Sequence, residues 1–267
     1  MWRALIFFSV LFVGCLPRFR RVAYTNLRIA FGPAGTGLYV RSLFRLADNV
    51  CAILKSCRKN PARRPKIRFD DSKFSLIPAP HPWVLVTGHI GPFELQGEWS
   101  RVLNIPIRVV VRPPKNLVFR SLYAFIRRRL GVNFIDKKNV VRETIQAMSA
   151  GSSVVIVADH NAGHQGTFLP FLGFPASTSR LPAVLALRFQ KPVVMGFIRK
   201  EGGEFVAWVE RVIVPDALAE PKEEERRILS EMNAVFTDVI RRYPEEWFWF
   251  HRRWKTRPGD REAHILR

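Results

Sequence analysis

Trp83-Val-Leu-Val-Thr-Gly-His-Ile-Gly-Pro-Phe-Glu94 is the stretch that decides the fold. Trp83 to Thr87 is a short apolar, β-rich run bounded by Pro82 and Gly88, which reads as a buried strand. Working outward, Ile107–Val111 and Val154–Ala158 have the same character, and Val193–Ile198 is a fourth such strand. Val132–Ile135 reads as a short strand and Phe205–Val214 as an edge. Helical patterns fall between them, at Leu117–Leu130, Val140–Ser149, Pro182–Phe189 and Glu223–Arg242. Strands alternating with helices predict an α/β fold with helices on both faces of one sheet.

The polar residues then fall where such a sheet binds ligands, at the C-terminal ends of its strands. The first strand runs into Gly88-His89, with Glu94 five positions on and Pro92 suited to open a helix over 92–100. A carboxylate on one imidazole nitrogen fixes the tautomer and raises the basicity of the other, which can then take a proton from a hydroxyl. His89 and Glu94 are therefore the candidate catalytic pair. The strand ending at Val111 delivers Arg112, Lys115 and Asn116, a set suited to phosphate or carboxylate. The strand ending at Ala158 delivers Asp159-His160-Asn161. His160 and His164 have metal-ligand spacing, but Gly163 and Gly166 argue against a helix there, and no metal is expected.

The chain of 267 residues is 48% hydrophobic, enough for a sizeable core, and carries 43 Lys+Arg against 22 Asp+Glu, a net charge of +21. The partner is expected to be anionic: nucleic acid, an acidic membrane or an acidic carrier protein. Cys15, Cys51 and Cys57 form neither a CxxC nor a disulfide framework, which suits a reducing compartment. Ala4–Leu16 is apolar and is followed by Arg18, Arg20 and Arg21, but it is shorter than the roughly 20 residues of a spanning helix. A short or tilted membrane anchor is the favoured reading. A buried or interfacial helix and a cleaved signal peptide are its rivals, and Phe12-Val-Gly-Cys15 only faintly echoes a lipoprotein box. The arginines after the run favour a cytoplasmic location for that end. Residues 1–58 are expected to form a helical membrane-associated segment, interrupted at Gly32-Pro33 and Gly35, and residues 59–267 the main domain.

Gly88-His-Ile-Gly-Pro-Phe-Glu-Leu95 resembles the His-x4-Asp/Glu motif of glycerolipid acyltransferases, in the variant of the bacterial lauroyl/myristoyl acyltransferases of lipid A biosynthesis. Arg112-Pro-x-Lys-Asn116 is similar to that family's second block. Ala158–Gly163 with Gly166–Thr178 is similar to its third, Pro182–Pro192 continues the match, and Trp247–Lys255 is similar to its C-terminal signature. Leu16-Pro-Arg through Phe31 is similar to its opening. Pro92-Phe93 and His160 depart from the usual Asn-Trp and Gln.

The resemblance implies a glycerolipid acyltransferase-like αβα sandwich. It implies acyl transfer from acyl carrier protein or coenzyme A to a hydroxyl of a lipid A precursor or related lipid or glycolipid. His89 would be the base and Glu94 its orienting partner. Arg112, helped by Lys115 and Asn116, would bind an acceptor phosphate, with Asp159 in support of Arg112 or the acceptor. It also implies the cytoplasmic face of a bacterial inner membrane and no cofactor beyond the acyl thioester. Arg127–Arg129 and Arg252-Arg253 are candidate contacts to an acidic surface, and Phe168, Phe171 and Phe174 candidates to line an acyl channel. A non-catalytic lipid-binding relative is one alternative. A basic nucleic-acid-binding protein is the other, although the chain has no recognised nucleic-acid motif and no nucleic-acid partner is expected.

Overall fold

The computed structural model describes residues 2–60, 64–70, 72–77, 80–97, 99–100, 104–111, 117–130, 133–136 and 139–259. Three helices lead: α1 (Trp2–Cys15), α2 (Pro17–Phe31) and α3 (Thr36–Ser56). The strands β1 (Ile67–Asp70), β2 (Val84–Thr87) and β3 (Ile107–Val111) follow. Then come α4 (Leu117–Leu130), β4 (Asn133–Asp136), α5 (Val140–Ser149) and β5 (Ser153–Val157). A hairpin of β6 (Thr167–Phe171) and β7 (Phe174–Thr178) precedes α6 (Leu181–Phe189). The long strands β8 (Val193–Glu201) and β9 (Glu204–Ile213) and the helix α7 (Pro221–Arg242) complete the order.

Seven strands form one sheet in the order β1-β9-β8-β2-β5-β3-β4, and β6-β7 is a separate antiparallel ribbon. Among the described residues, only β8–β9 is antiparallel within the large sheet. The central strands are apolar on both sides because both faces are covered. Val84, Val86, Val154 and Ile156 enter one core, with Phe236 and Val239 of α7. Leu85, Val155 and Val194 enter the other, with Ile53, Trp99 and Ile105. Glu220 caps α7 by accepting the backbone N–H groups of Lys222 and Glu223, both at 2.9 Å, and Pro221 occupies the first turn.

Two departures from the sequence reading are local. The hairpin β6–β7 was not expected, because Pro170 and Pro175 argue against strands; here they face each other in a ribbon outside the main sheet. Its turn uses Leu172 and Gly173, both at positive φ (51° and 88°), where Asn-Gly is the usual signal. Of the expected helix over 92–100, Phe93–Gly97 is a 3-10 turn and residues 99–100 are helical.

Among the described residues, no helix is long and apolar enough to cross a membrane. α1 has 14 residues, about 21 Å of rise. It nonetheless leaves Leu5, Phe8 and Phe12 exposed by 68%, 72% and 70%. α2 and α3 share the main core through Ala23, Leu27, Leu38, Tyr39 and Leu43. The three cysteines are free, with Cys51 and Cys57 buried.

Candidate active site

Strand register assembles the site. β2 and β5 are adjacent and parallel, with Thr87 opposite Val157. Two residues beyond each pair member come His89 and Asp159, so both leave the sheet at the same height. The chain runs from β5 to β8 on the far side of β2 by way of the hairpin and α6, so the strand order reverses here, where open α/β sheets form a crevice.

Asp159 is fully buried and accepts three hydrogen bonds. His89 Nδ1 lies 2.7 Å from Oδ1, while the His89 backbone N–H and Trp247 Nε1–H both donate to Oδ2 at 2.8 Å. Burial alone would raise the carboxyl's pKa. The His89 charge and hydrogen bond outweigh it, His160 and His251 add to them, and the group is held well below the usual carboxylate range. An ionised Asp159 can only accept, so Nδ1 carries a proton, and in the neutral ring Nε2 is the nitrogen with the free lone pair.

Two glycines permit this approach. A Cβ at Gly88 would lie 2.9 Å from Phe236 Cε1 and 3.1 Å from Asp159 Oδ2. Gly91 sits at φ +61°, and a Cβ there would overlap the Ile198 carbonyl oxygen. Its N–H donates to Glu246 O at 3.0 Å, which joins the turn to the C-terminal segment.

The loop after β5 and that C-terminal segment supply a second layer. The His160 ring stacks on His89 with centroids 3.9 Å apart and planes 3° from parallel. His251 places Nδ1 2.7 Å from Phe248 O and Nε2 3.2 Å from Asp159 O. Crowding by packed neighbours and the His89 charge lower the pKa of His160, although its side chain stays exposed, and burial pushes His251 down to about 4, so the His251 ring is neutral near pH 7. Arg253 is fully buried and donates to Ser177 O at 2.5 Å and Thr178 Oγ1 at 3.1 Å, with its guanidinium 4.4 Å from the Phe171 ring centroid. It ties the C-terminal segment to the hairpin. Its neighbour Arg252 is exposed, so the two arginines do not form one surface patch.

Two cavities meet at His89, Phe93 and Glu94. The larger, about 660 Å³, is walled by Val109, Val111, Ile126, Leu130, Val155 and Val184, among others. The smaller, about 220 Å³, lies between α3 and residues 245–250, with Asn49 and Glu246 in its wall. Burial pushes Glu94 up to about 7, against the lowering pull of its own backbone N–H and of His89.

The structure thus brings together three of the residues singled out in the sequence: His89, Glu94 and Asp159. It differs from the sequence reading in their pairing, since the carboxylate on His89 Nδ1 is Asp159 and not Glu94. Arg112, Lys115 and Asn116 lie outside the described residues. Of the three phenylalanines proposed for an acyl channel, none lines the cavities at His89: Phe171 is in the core and Phe174 lies at the hairpin tip, 48% exposed. His89, Asp159 and His160 hold ligand-type atoms within 4.8 Å of one another, and His164 is not among them. Trp247 and His251 stand in the sequence only within the Trp247–Lys255 signature, with no role attached, and Arg253, expected at an acidic surface, is instead buried.

Residues 78–256 match the family model described as bacterial lipid A biosynthesis acyltransferase. The chain is similar to the lipid A biosynthesis lauroyltransferase of Escherichia coli K12, 26% identical over 152 residues, 56% of this chain and 48% of that protein. It is also similar to the lipid A biosynthesis palmitoleoyltransferase of the same organism, 28% identical over 189 residues, 68% of this chain and 59% of that protein. A lipid A biosynthesis acyltransferase of Haemophilus influenzae is 24% identical over 186 residues, 68% of this chain and 58% of that protein. The chain spans about half to three fifths of the length of these relatives.

Proposed function

The chain belongs to the bacterial lipid A biosynthesis acyltransferase family, and from that premise we propose that it is a membrane-associated O-acyltransferase. It moves a fatty acyl group from an acyl thioester, on acyl carrier protein or coenzyme A, to a hydroxyl of a lipid A precursor or a related lipid. It works at the cytoplasmic face of a bacterial inner membrane. The observation that carries the chemistry is the Asp159–His89 hydrogen bond of 2.7 Å at the junction of two cavities.

Asp159 holds the proton on Nδ1, so Nε2 takes the proton of the acceptor hydroxyl as its oxygen attacks the thioester carbonyl. The C–O bond forms, the tetrahedral centre collapses, the C–S bond breaks, and the imidazolium returns the proton to the leaving thiolate. Buried Asp159 stabilises the imidazolium while it exists. Glu94, facing both cavities and partly protonated near pH 7, donates a hydrogen bond to the hydroxyl oxygen, which leaves the hydroxyl proton for Nε2. The thioester is already activated, so the step needs no metal or cofactor.

The larger cavity takes the acyl chain. Its volume of about 660 Å³ lies within the usual range for ligand cavities, about 300–1,000 Å³, and its wall is mainly aliphatic. Arg112, with Lys115 and Asn116, binds a phosphate of the acceptor. The exposed apolar face of α1 and the arginines after it support a position at the lipid surface.

The test is purified chain in detergent, given acyl-carrier-protein or coenzyme A thioesters and a panel of lipid hydroxyl acceptors, with product followed by mass. Transfer that collapses in His89→Ala supports the proposal. Unchanged turnover in that variant sinks the assigned role, and a lipid-binding relative would bind acceptor without consuming thioester.

A further inference from the structure

A third cavity, about 760 Å³, lies away from His89, between α2, the β6–β7 hairpin and residues 252–258. Its wall carries Arg21, Arg252, Lys255 and Arg257, and no acidic residue among the described residues lines it. The rest of the wall includes Val22, Ile29, Phe174 and Trp254. Cations around an apolar floor suit an anion attached to a hydrocarbon.

The shape and the neighbouring elements narrow the choice. A free inorganic anion gains nothing from Phe174, Trp254 and Ile29. A docked acidic protein needs a face of about 800 Å² on each partner, whereas this is a concave pocket of small-ligand size. The helix that walls the cavity also follows directly on α1 in the chain, and α1 carries an exposed apolar row. Leu5, Phe8, Phe12 and Leu16 follow helical spacing along one side and remain exposed, and the chain then turns at Pro17 into α2, which presents Arg21, Val22, Thr25 and Ile29 to the cavity. With α1 lying in the lipid interface, α2 begins at the depth of the headgroups, where basic residues meet anionic lipid. The exposed ring of Phe174 stands at the same cavity mouth.

We propose that this cavity is a binding site for the phosphate-bearing headgroup of an anionic membrane phospholipid, distinct from the acyl-transfer site. Arg21, Arg252 and Lys255 hold the phosphate, and Val22, Ile29, Phe174 and Trp254 contact the upper part of one acyl chain. The inner wall is rigid: Asn26 donates to Trp249 O and His251 O, both at 2.7 Å. The proposal rests on the lipid-surface part of the proposed function and not on acyl transfer.

The experiment is co-sedimentation of the full chain with vesicles of phosphatidylcholine alone or with added phosphatidylglycerol. Arg21→Gln/Arg252→Gln/Lys255→Gln is compared with a control that removes three exposed charges from α7, Lys222→Gln/Arg226→Gln/Arg241→Gln. Thr25→Trp fills the cavity and keeps its charges. The cavity triple variant loses roughly 100-fold in binding to anionic vesicles. Thr25→Trp also loses binding, while the α7 control and binding to neutral vesicles change little. Equal loss in the two triple variants, or full binding by Thr25→Trp, overturns the site in favour of diffuse attraction. Competition by inorganic phosphate as strong as that by phosphatidylglycerol micelles makes it a free-anion site instead. Loss of acyl-carrier-protein binding with vesicle binding intact overturns it in favour of a protein docking face. Wild type that binds no vesicle overturns the lipid-surface reading as well. If Phe8→Ser/Phe12→Ser abolishes vesicle binding and the cavity variants do not affect it, the surface reading stands and this proposal fails. Unchanged circular dichroism and thermal unfolding show that the cavity variants are folded.

Discussion

Asp159→Asn isolates the chemistry from the architecture, because the amide keeps the shape of the carboxyl it replaces. Oδ2 of Asp159 receives two donors, the His89 backbone N–H and Trp247 Nε1–H, both at 2.8 Å. The amide carbonyl must take that position, which turns the NH2 toward His89 Nδ1, 2.7 Å away in the native pair. Nδ1 then has to accept, so the ring proton moves to Nε2 and the nitrogen facing the acceptor hydroxyl is no longer a base. The same tautomer trap costs about 10⁴ in kcat in Ser-His-Asp proteases, and a positioned general base contributes about 10²–10⁴. Here kcat should fall by roughly 10³–10⁴ with a much smaller change in KM. The assay is initial rates of acyl transfer from an acyl thioester, across acceptor concentrations, with circular dichroism and thermal unfolding as controls. A folded Asp159→Asn protein with kcat within about tenfold of wild type would refute the reasoning.

Other perturbations probe the same region. Glu94, raised to about 7 by burial, binds a proton in the fold over a range where the unfolded chain has lost it, so stability falls as pH rises from about 4.5 toward 7. Glu94→Gln should therefore unfold later than wild type at pH 8 and alike at pH 4, and should remove a titration near 7 from the kcat/KM profile. His251, lowered to about 4, acts in the opposite sense: the unfolded chain protonates first, so stability is lost as pH falls from about 6.5 toward 4, by at most on the order of 3 kcal/mol. His251→Gln should flatten that acid limb in denaturant titrations. Gly91→Ala meets both positive φ and the Ile198 carbonyl, whereas Gly151, at φ +79°, has open space around it. Gly151→Ala should cost about 1–2 kcal/mol in urea unfolding and Gly91→Ala roughly 3 kcal/mol or more.

The layered α/β plan was legible in the sequence because strands buried on both faces leave continuous apolar runs. β3, α4 and α5 fall on their expected residues. The placement of His89 at the end of β2 followed from the same pattern. Its partner did not. Glu94 is the nearest carboxylate in sequence, but Asp159, 70 residues away, is nearest in space, and that depends on β5 lying beside β2. Strand order is a long-range property that periodicity does not encode. Side-chain fate within a charge run is equally hidden: Arg252 faces solvent and Arg253 is sealed under the hairpin, though the two are chemically identical neighbours. The hairpin itself was masked by its prolines and by a leucine at a turn position that usually takes Asn.

The most direct test of the central claim is mass spectrometry of lipid extracts from matched cells that lack the chain, express it, or express His89→Ala. A lipid hydroxyl that gains one acyl chain only in cells with the wild-type protein, with a mass shift equal to one fatty acid minus water, is the predicted result. Identical lipid spectra in all three, or the same acylated product in cells with His89→Ala, would contradict acyl transfer through His89.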